Sequence, residues 1–157
     1  MAIQFSCPIS GNQRDLTTIR FVAFFTWLLS IASLGLVYTG YGQYATVLVG
    51  LLTIDFIIRA FYKPKYSGLA FIGRGLVSGL KLPRKMVDGA SKVFAARIGV
   101  VFTLTSTLLF SIGLYSQGTV VLGILILCAA LEAFVGFCVG CAVYSLLPRS
   151  IGALLSK

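Results

Sequence analysis

Thr119-Val120-Val121-Leu122-Gly123-Ile124-Leu125-Ile126-Leu127-Cys128-Ala129-Ala130-Leu131-Glu132-Ala133-Phe134-Val135 carries a single ionisable acid in an otherwise apolar run. About 20 such residues in a helix cross a hydrocarbon core, so residues 119 to 147 read as a membrane span. Working outward, three more runs of that kind cover residues 18–38, 44–62 and 93–114. None alternates with the period of two that a membrane β-barrel requires, so the spans are helical. With 58% hydrophobic and 11% charged residues and a mean hydropathy of +0.98, the 157 residues lie far from soluble composition. The expectation is an all-α polytopic membrane protein: one transmembrane domain over 1–157, with four transmembrane helices.

Charge sets the orientation. The turns Thr39-Gly40-Tyr41-Gly42-Gln43 and Tyr115-Ser116-Gln117-Gly118 carry none, whereas residues 63–92 hold Lys63, Lys65, Arg74, Lys81, Arg84, Lys85 and Lys92 against Asp88. Basic residues collect in cytoplasmic loops, which puts this loop and both termini inside, N-in and C-in. The net charge of +9 then reports topology and attraction to anionic lipid, not nucleic acid. Within the basic loop, Leu69, Ile72, Leu76 and Leu80 recur at spacings of three and four until Pro83. That pattern predicts an interfacial amphipathic helix between helices 2 and 3, weakened by glycines at 68, 73, 75 and 79. Residues 1–17 form a polar, turn-rich segment in which Asp15 or Thr17 can cap the first helix. The first apolar run is too long for the h-region of a signal peptide and is expected to remain an anchor.

Chemistry concentrates near residue 138. On one helix, Cys138 and Cys141 differ by about 60° in azimuth and share a face. They can form a disulfide, exchange electrons with a thioredoxin-like partner, or hold a soft cation as thiolates. Under the topology above Cys7 approaches from the same side, so three thiols can converge. Cys128, mid-span, reads as a small apolar residue. Gly136 and Gly140 form a small-x-x-x-small pattern for close helix approach.

Ionisable groups inside a membrane cost roughly 2.5–3.5 kcal/mol each on insertion scales and need partners. Asp55 and Arg59 stand four apart and can pair on one helix. Glu132 differs from the thiol face by roughly 100° or more on a continuous helix, so its expected counter-charge is Arg59 or Arg97. Arg97 can alternatively anchor its helix by snorkelling or lower a thiol pKa. The sequence has no histidine, which excludes His-ligated haem or zinc and a Ser-His-Asp triad.

Cys7-Pro8, Asp55-Phe56-Ile57-Ile58-Arg59-Ala60, Lys92-Val93-Phe94-Ala95-Ala96-Arg97-Ile98-Gly99 and Leu131-Glu132-Ala133-Phe134 through Phe137-Cys138-Val139-Gly140-Cys141 to Tyr144 follow in order. In this the chain resembles the bacterial membrane family catalogued as domain of unknown function 4395, over nearly its whole length. The resemblance implies a small multi-helix membrane protein associated with thioredoxin-like or sulfur-handling proteins. It also implies that Cys7, Cys138 and Cys141 are the motif cysteines. Three functions stay open: thiol-disulfide exchange with a thioredoxin-like partner and no resident cofactor; binding or transport of a soft metal ion or reduced sulfur species on Cys7, Cys138 and Cys141; and a structural subunit.

Overall fold

The computed structural model describes residues 13–62, 67–80 and 86–146, with side chains over 15–62, 67–80 and 92–143. Among the described residues six α-helices run in order: α1 (Leu16–Tyr38), α2 (Gly42–Phe61), α3 (Gly68–Gly79), α4 (Gly89–Ser111), α5 (Tyr115–Ala130) and α6 (Val139–Leu146). The four helical stretches Leu16–Tyr38, Gly42–Phe61, Lys92–Ser111 and Tyr115–Val135 are long and apolar enough to cross a membrane. Large apolar side chains such as Leu28, Leu51, Ile54, Leu104, Leu108 and Leu127 face outward. An exterior of this kind is stable against lipid and not against water. The chain is an integral membrane protein.

Inside the bundle, small residues let the helices approach. Gly99 of α4 seats the Phe56 ring of α2, and Gly118 of α5 seats the Phe110 ring of α4. Phe56 and Phe110 join Val49, Leu122 and Leu125 in the core. Buried hydroxyls return their protons to the preceding turn, as Thr26 Oγ1 does to the Val22 carbonyl (2.9 Å) and Ser30 Oγ to that of Thr26 (2.8 Å). Thr53 and Thr107 bond between α2 and α4 at 3.1 Å. Such contacts hold helices together where lipid removes the hydrophobic drive to associate.

The two uncharged turns meet at one end of the bundle: a Cβ on Gly42 would stand 2.6 Å from the Tyr115 ring. At the opposite end, β1 (Gln13–Asp15) pairs antiparallel with β2 (Met86–Asp88), Gln13 opposite Asp88, clasping the entries of α1 and α4 together. Asp15 occupies the N-cap position of α1.

The helix predicted in the basic loop is present as α3, but it docks by a different face from the one its leucines mark. Ala70, Gly73 and Val77 are buried, and Gly73 lies against Val22 and the Thr18 carbonyl of α1. Phe71, Ile72, Leu76 and Leu80 point outward. Its first turn is pinned from α2. Asp55 Oδ1 accepts from Ser67 Oγ at 2.6 Å and from the Leu69 N–H at 3.3 Å, while Ser67 Oγ caps the Ala70 N–H at 3.3 Å. A carboxylate at a helix N-terminus also complements the macrodipole.

The fourth span departs from the single helix expected to Leu147. After Ala130 the helix widens into one π turn, Leu131–Val135, and stops at Gly136 with φ +75°. The N–H groups of Gly136 and Phe137 both return to the Leu131 carbonyl, the latter at 3.1 Å. Arg20 Nη2 donates to the Val135 carbonyl at 3.3 Å, and its guanidinium fills the space a Gly136 Cβ would need. The chain then continues as α6, where Gly140 brings its backbone onto Ala95 of α4, at 2.6 Å for an added Cβ. Of the two glycines expected to pack helices, Gly140 does so and Gly136 makes the break.

Gly136→Ala must adopt a left-handed backbone and displace Arg20, so thermal unfolding in detergent is expected to show a loss of about 1–3 kcal/mol. Asp55→Ala strands Arg59, Ser67 and the start of α3. Breaking such a buried pair costs about 3–5 kcal/mol, and replacing Asp55 and Arg59 together by apolar residues should cost less, as a double-mutant cycle would measure.

Candidate functional site

The break at Gly136 collects the ionisable and sulfur-bearing side chains at the clasped end of the bundle. Lys92, in the first turns of α4, meets Glu132 of the π turn with Nζ 2.6 Å from Oε1, both side chains largely buried. This corrects the sequence-based pairing of Glu132 with Arg59 or Arg97. Arg59 acts on Glu132 only through its longer-range field, and the Arg97 guanidinium lies 5.7 Å from the Phe61 ring centre. Asp55 and Arg59 do pair, Oδ2 to Nη2 at 2.7 Å, across one helical turn. The contact is ionic and lies off the hydrogen-bond line. The Arg59 guanidinium also covers the Phe56 ring at 4.2 Å, and its Nε is buried with no hydrogen-bond partner.

Cys138 is buried and stands immediately before α6, its carbonyl accepting the Ala142 N–H at 3.0 Å. Cys141, half-buried in the first turn, lies within hydrogen-bonding reach of Cys138. The pair therefore sits at a helix N-terminus, where orphan N–H groups favour a thiolate, and not in the middle of a long span. The Lys92 ammonium acts on both sulfurs. The hydrogen bond with Cys141, followed by burial, pushes the Cys138 thiol well above its ordinary range, against the opposing pull of Lys92.

Between α1, α2, α4, α5 and α6 lies a cavity of about 380 Å³ whose wall includes Arg59, Cys128, Glu132 and Cys138. Glu132 and Cys138 share this wall, and the carboxylate contributes to the field at the sulfur. Cys128, read from sequence as packing alone, lines the same space. Cys7 lies outside the described residues. Among the described residues, no group of three or more Cys, Asp and Glu side chains is placed to hold a metal ion.

Sequence reasoning missed Lys92, Arg20 and the hinge role of Gly136. A helix from 119 to 147 would be roughly 44 Å long at 1.5 Å per residue, well beyond a core of about 30 Å. That excess was the available signal for a break. Lys92 was hidden by its place at the end of a basic loop, where a lysine also serves topology.

No curated protein and no solved structure matches the chain. A family model does match, over residues 15–149. The chain belongs to the family described as Domain of unknown function (DUF4395).

Proposed function

We propose that this protein takes part in thiol-disulfide exchange at the membrane with a thioredoxin-like partner, Cys138 and Cys141 cycling between dithiol and disulfide. The observation that carries this reading is the pair of sulfurs within reach of each other at the start of α6, both inside the field of the Lys92 ammonium. The more exposed Cys141, as thiolate, attacks a disulfide sulfur of the partner. That bond breaks, one partner thiolate leaves, and a mixed disulfide forms. Cys138, which holds its proton against Cys141 until then, gives it up and attacks the Cys141 sulfur. The second partner thiolate leaves, and the two protons end on the partner's thiols. Run backward, the same steps reduce Cys138–Cys141.

The polarity of the bundle supports a cytoplasmic site in a bacterial inner membrane, N-in and C-in. Both uncharged turns lie at the far end, and the Lys- and Arg-bearing segments leave from the near one. In this arrangement α3 lies along the interface with Phe71, Ile72, Leu76 and Leu80 toward lipid. Cys7 is an additional thiol for docking the partner or for a second resolving step, a role supported by β1, which starts at Gln13 at the end that holds Cys138.

Two measurements test this. Differential maleimide labelling of membranes, read by mass spectrometry, should show Cys138 and Cys141 protected together after oxidation and freed together by reductant, with Cys128 unchanged. Labelling indifferent to redox state refutes the proposal. In reduced protein near neutral pH, Cys141 should react about tenfold or more faster than Cys138. The pH midpoint for Cys138 should fall in Cys141→Ala, which removes the hydrogen bond that raises it. It should rise in Lys92→Gln, which removes the lowering charge, and return in Lys92→Arg.

A further inference from the structure

We infer that the cavity beside Cys138 binds a quinone-class two-electron acceptor that oxidises the Cys138–Cys141 dithiol, an inference that rests on the redox reading above. Its volume of about 380 Å³ suits a substituted ring better than a lone ion. Carbon dominates the wall, through residues such as Phe56, Ile98, Phe102 and Leu125. The polar exceptions define the ligand. Arg59 Nε is a buried donor without a hydrogen-bond acceptor, and a guanidinium can only donate. Its charge is already offset by Asp55 at 2.7 Å, and Glu132 on the same wall is offset by Lys92 at 2.6 Å. An anion would therefore meet a carboxylate with no surplus cation among the described residues of the wall to hold it. A neutral carbonyl oxygen answers the donor without that penalty.

Cys138 adds a soft nucleophile to the same wall. A neutral, apolar ring compound that offers a carbonyl to Arg59 and accepts an electron pair from sulfur is a quinone, and quinones are supplied through the bilayer itself. The Cys138 thiolate adds to a ring carbon, forming a C–S bond. Cys141 then attacks the Cys138 sulfur, the C–S bond breaks, and its electron pair remains on the ring. Both thiol protons end on the ring oxygens, so dithiol plus quinone becomes disulfide plus quinol.

Reduced full-length protein in detergent is mixed with decylubiquinone, following quinol by absorbance and thiols by mass spectrometry. One quinol should appear per Cys138–Cys141 disulfide. Ala129→Leu, which adds bulk to the wall without touching a charge, should slow this at least tenfold. In a Cys138→Ser/Cys141→Ser chain, decylubiquinone should slow maleimide labelling of Cys128 at least threefold and yield no quinol. If oxidised thioredoxin converts the dithiol while decylubiquinone neither does so nor protects Cys128, the quinone site is overturned and the exchange reading stands. Undiminished reduction in Ala129→Leu also overturns it, and thiols inert to both oxidants overturn both.

Discussion

A helix that ends where water is scarce must find partners for its last carbonyls within the protein, because an unpaired backbone group in hydrocarbon costs several kcal/mol. At the end of α5 the answer is local and long-range together. The widened turn hands two N–H groups to the Leu131 carbonyl, and Arg20, arriving from α1, covers that of Val135. Once this end is satisfied a new helix can start, and α6 packs on α4 through Gly140 and Ala95. The break thus places Cys138 and Cys141 at the start of a short helix instead of inside a long one.

The charges obey a related constraint. Asp55 holds Arg59 and, through Ser67 and Leu69, the first turn of α3. Lys92 holds Glu132 across the gap between α4 and the π turn. Each pairing neutralises groups that would be costly alone; the first ties α3 to the bundle, and the second joins the start of α4 to the end of the fourth span. Asp55 organises the loop side, whereas Glu132 holds the ammonium whose field reaches two sulfurs.

The spans were legible because hydropathy over about 20 residues is a strong signal, and the i, i+4 spacing announced Asp55 and Arg59. The thiol pair was visible as a spacing, but its setting was not. A left-handed glycine at 136 reads like any small residue in an apolar run, and Lys92 reads like loop charge until the fold places it opposite Glu132. Likewise, α3 was found by its leucines yet docks through Ala70, Gly73 and Val77, since close approach to α1 rewards small side chains. Sequence periodicity reports which residues form a helix; it does not report which neighbour each face will meet.

The break also connects the thiols with the interior. A cysteine pair on an uninterrupted helix shows both sulfurs to whatever lies beside that face. Here the turn at Gly136 sends Cys138 onto the wall of the cavity, next to Arg59 and Glu132, and leaves Cys141 nearer the surface. Cys138 then lines an interior wall, whereas its neighbour Cys141 is the more exposed of the two. An arrangement of this kind gives two adjacent thiols different surroundings, one interior and one nearer the surface. A glycine meets the left-handed turn at 136 without strain, so the desolvation of Lys92 and Glu132 is the structural cost of building it.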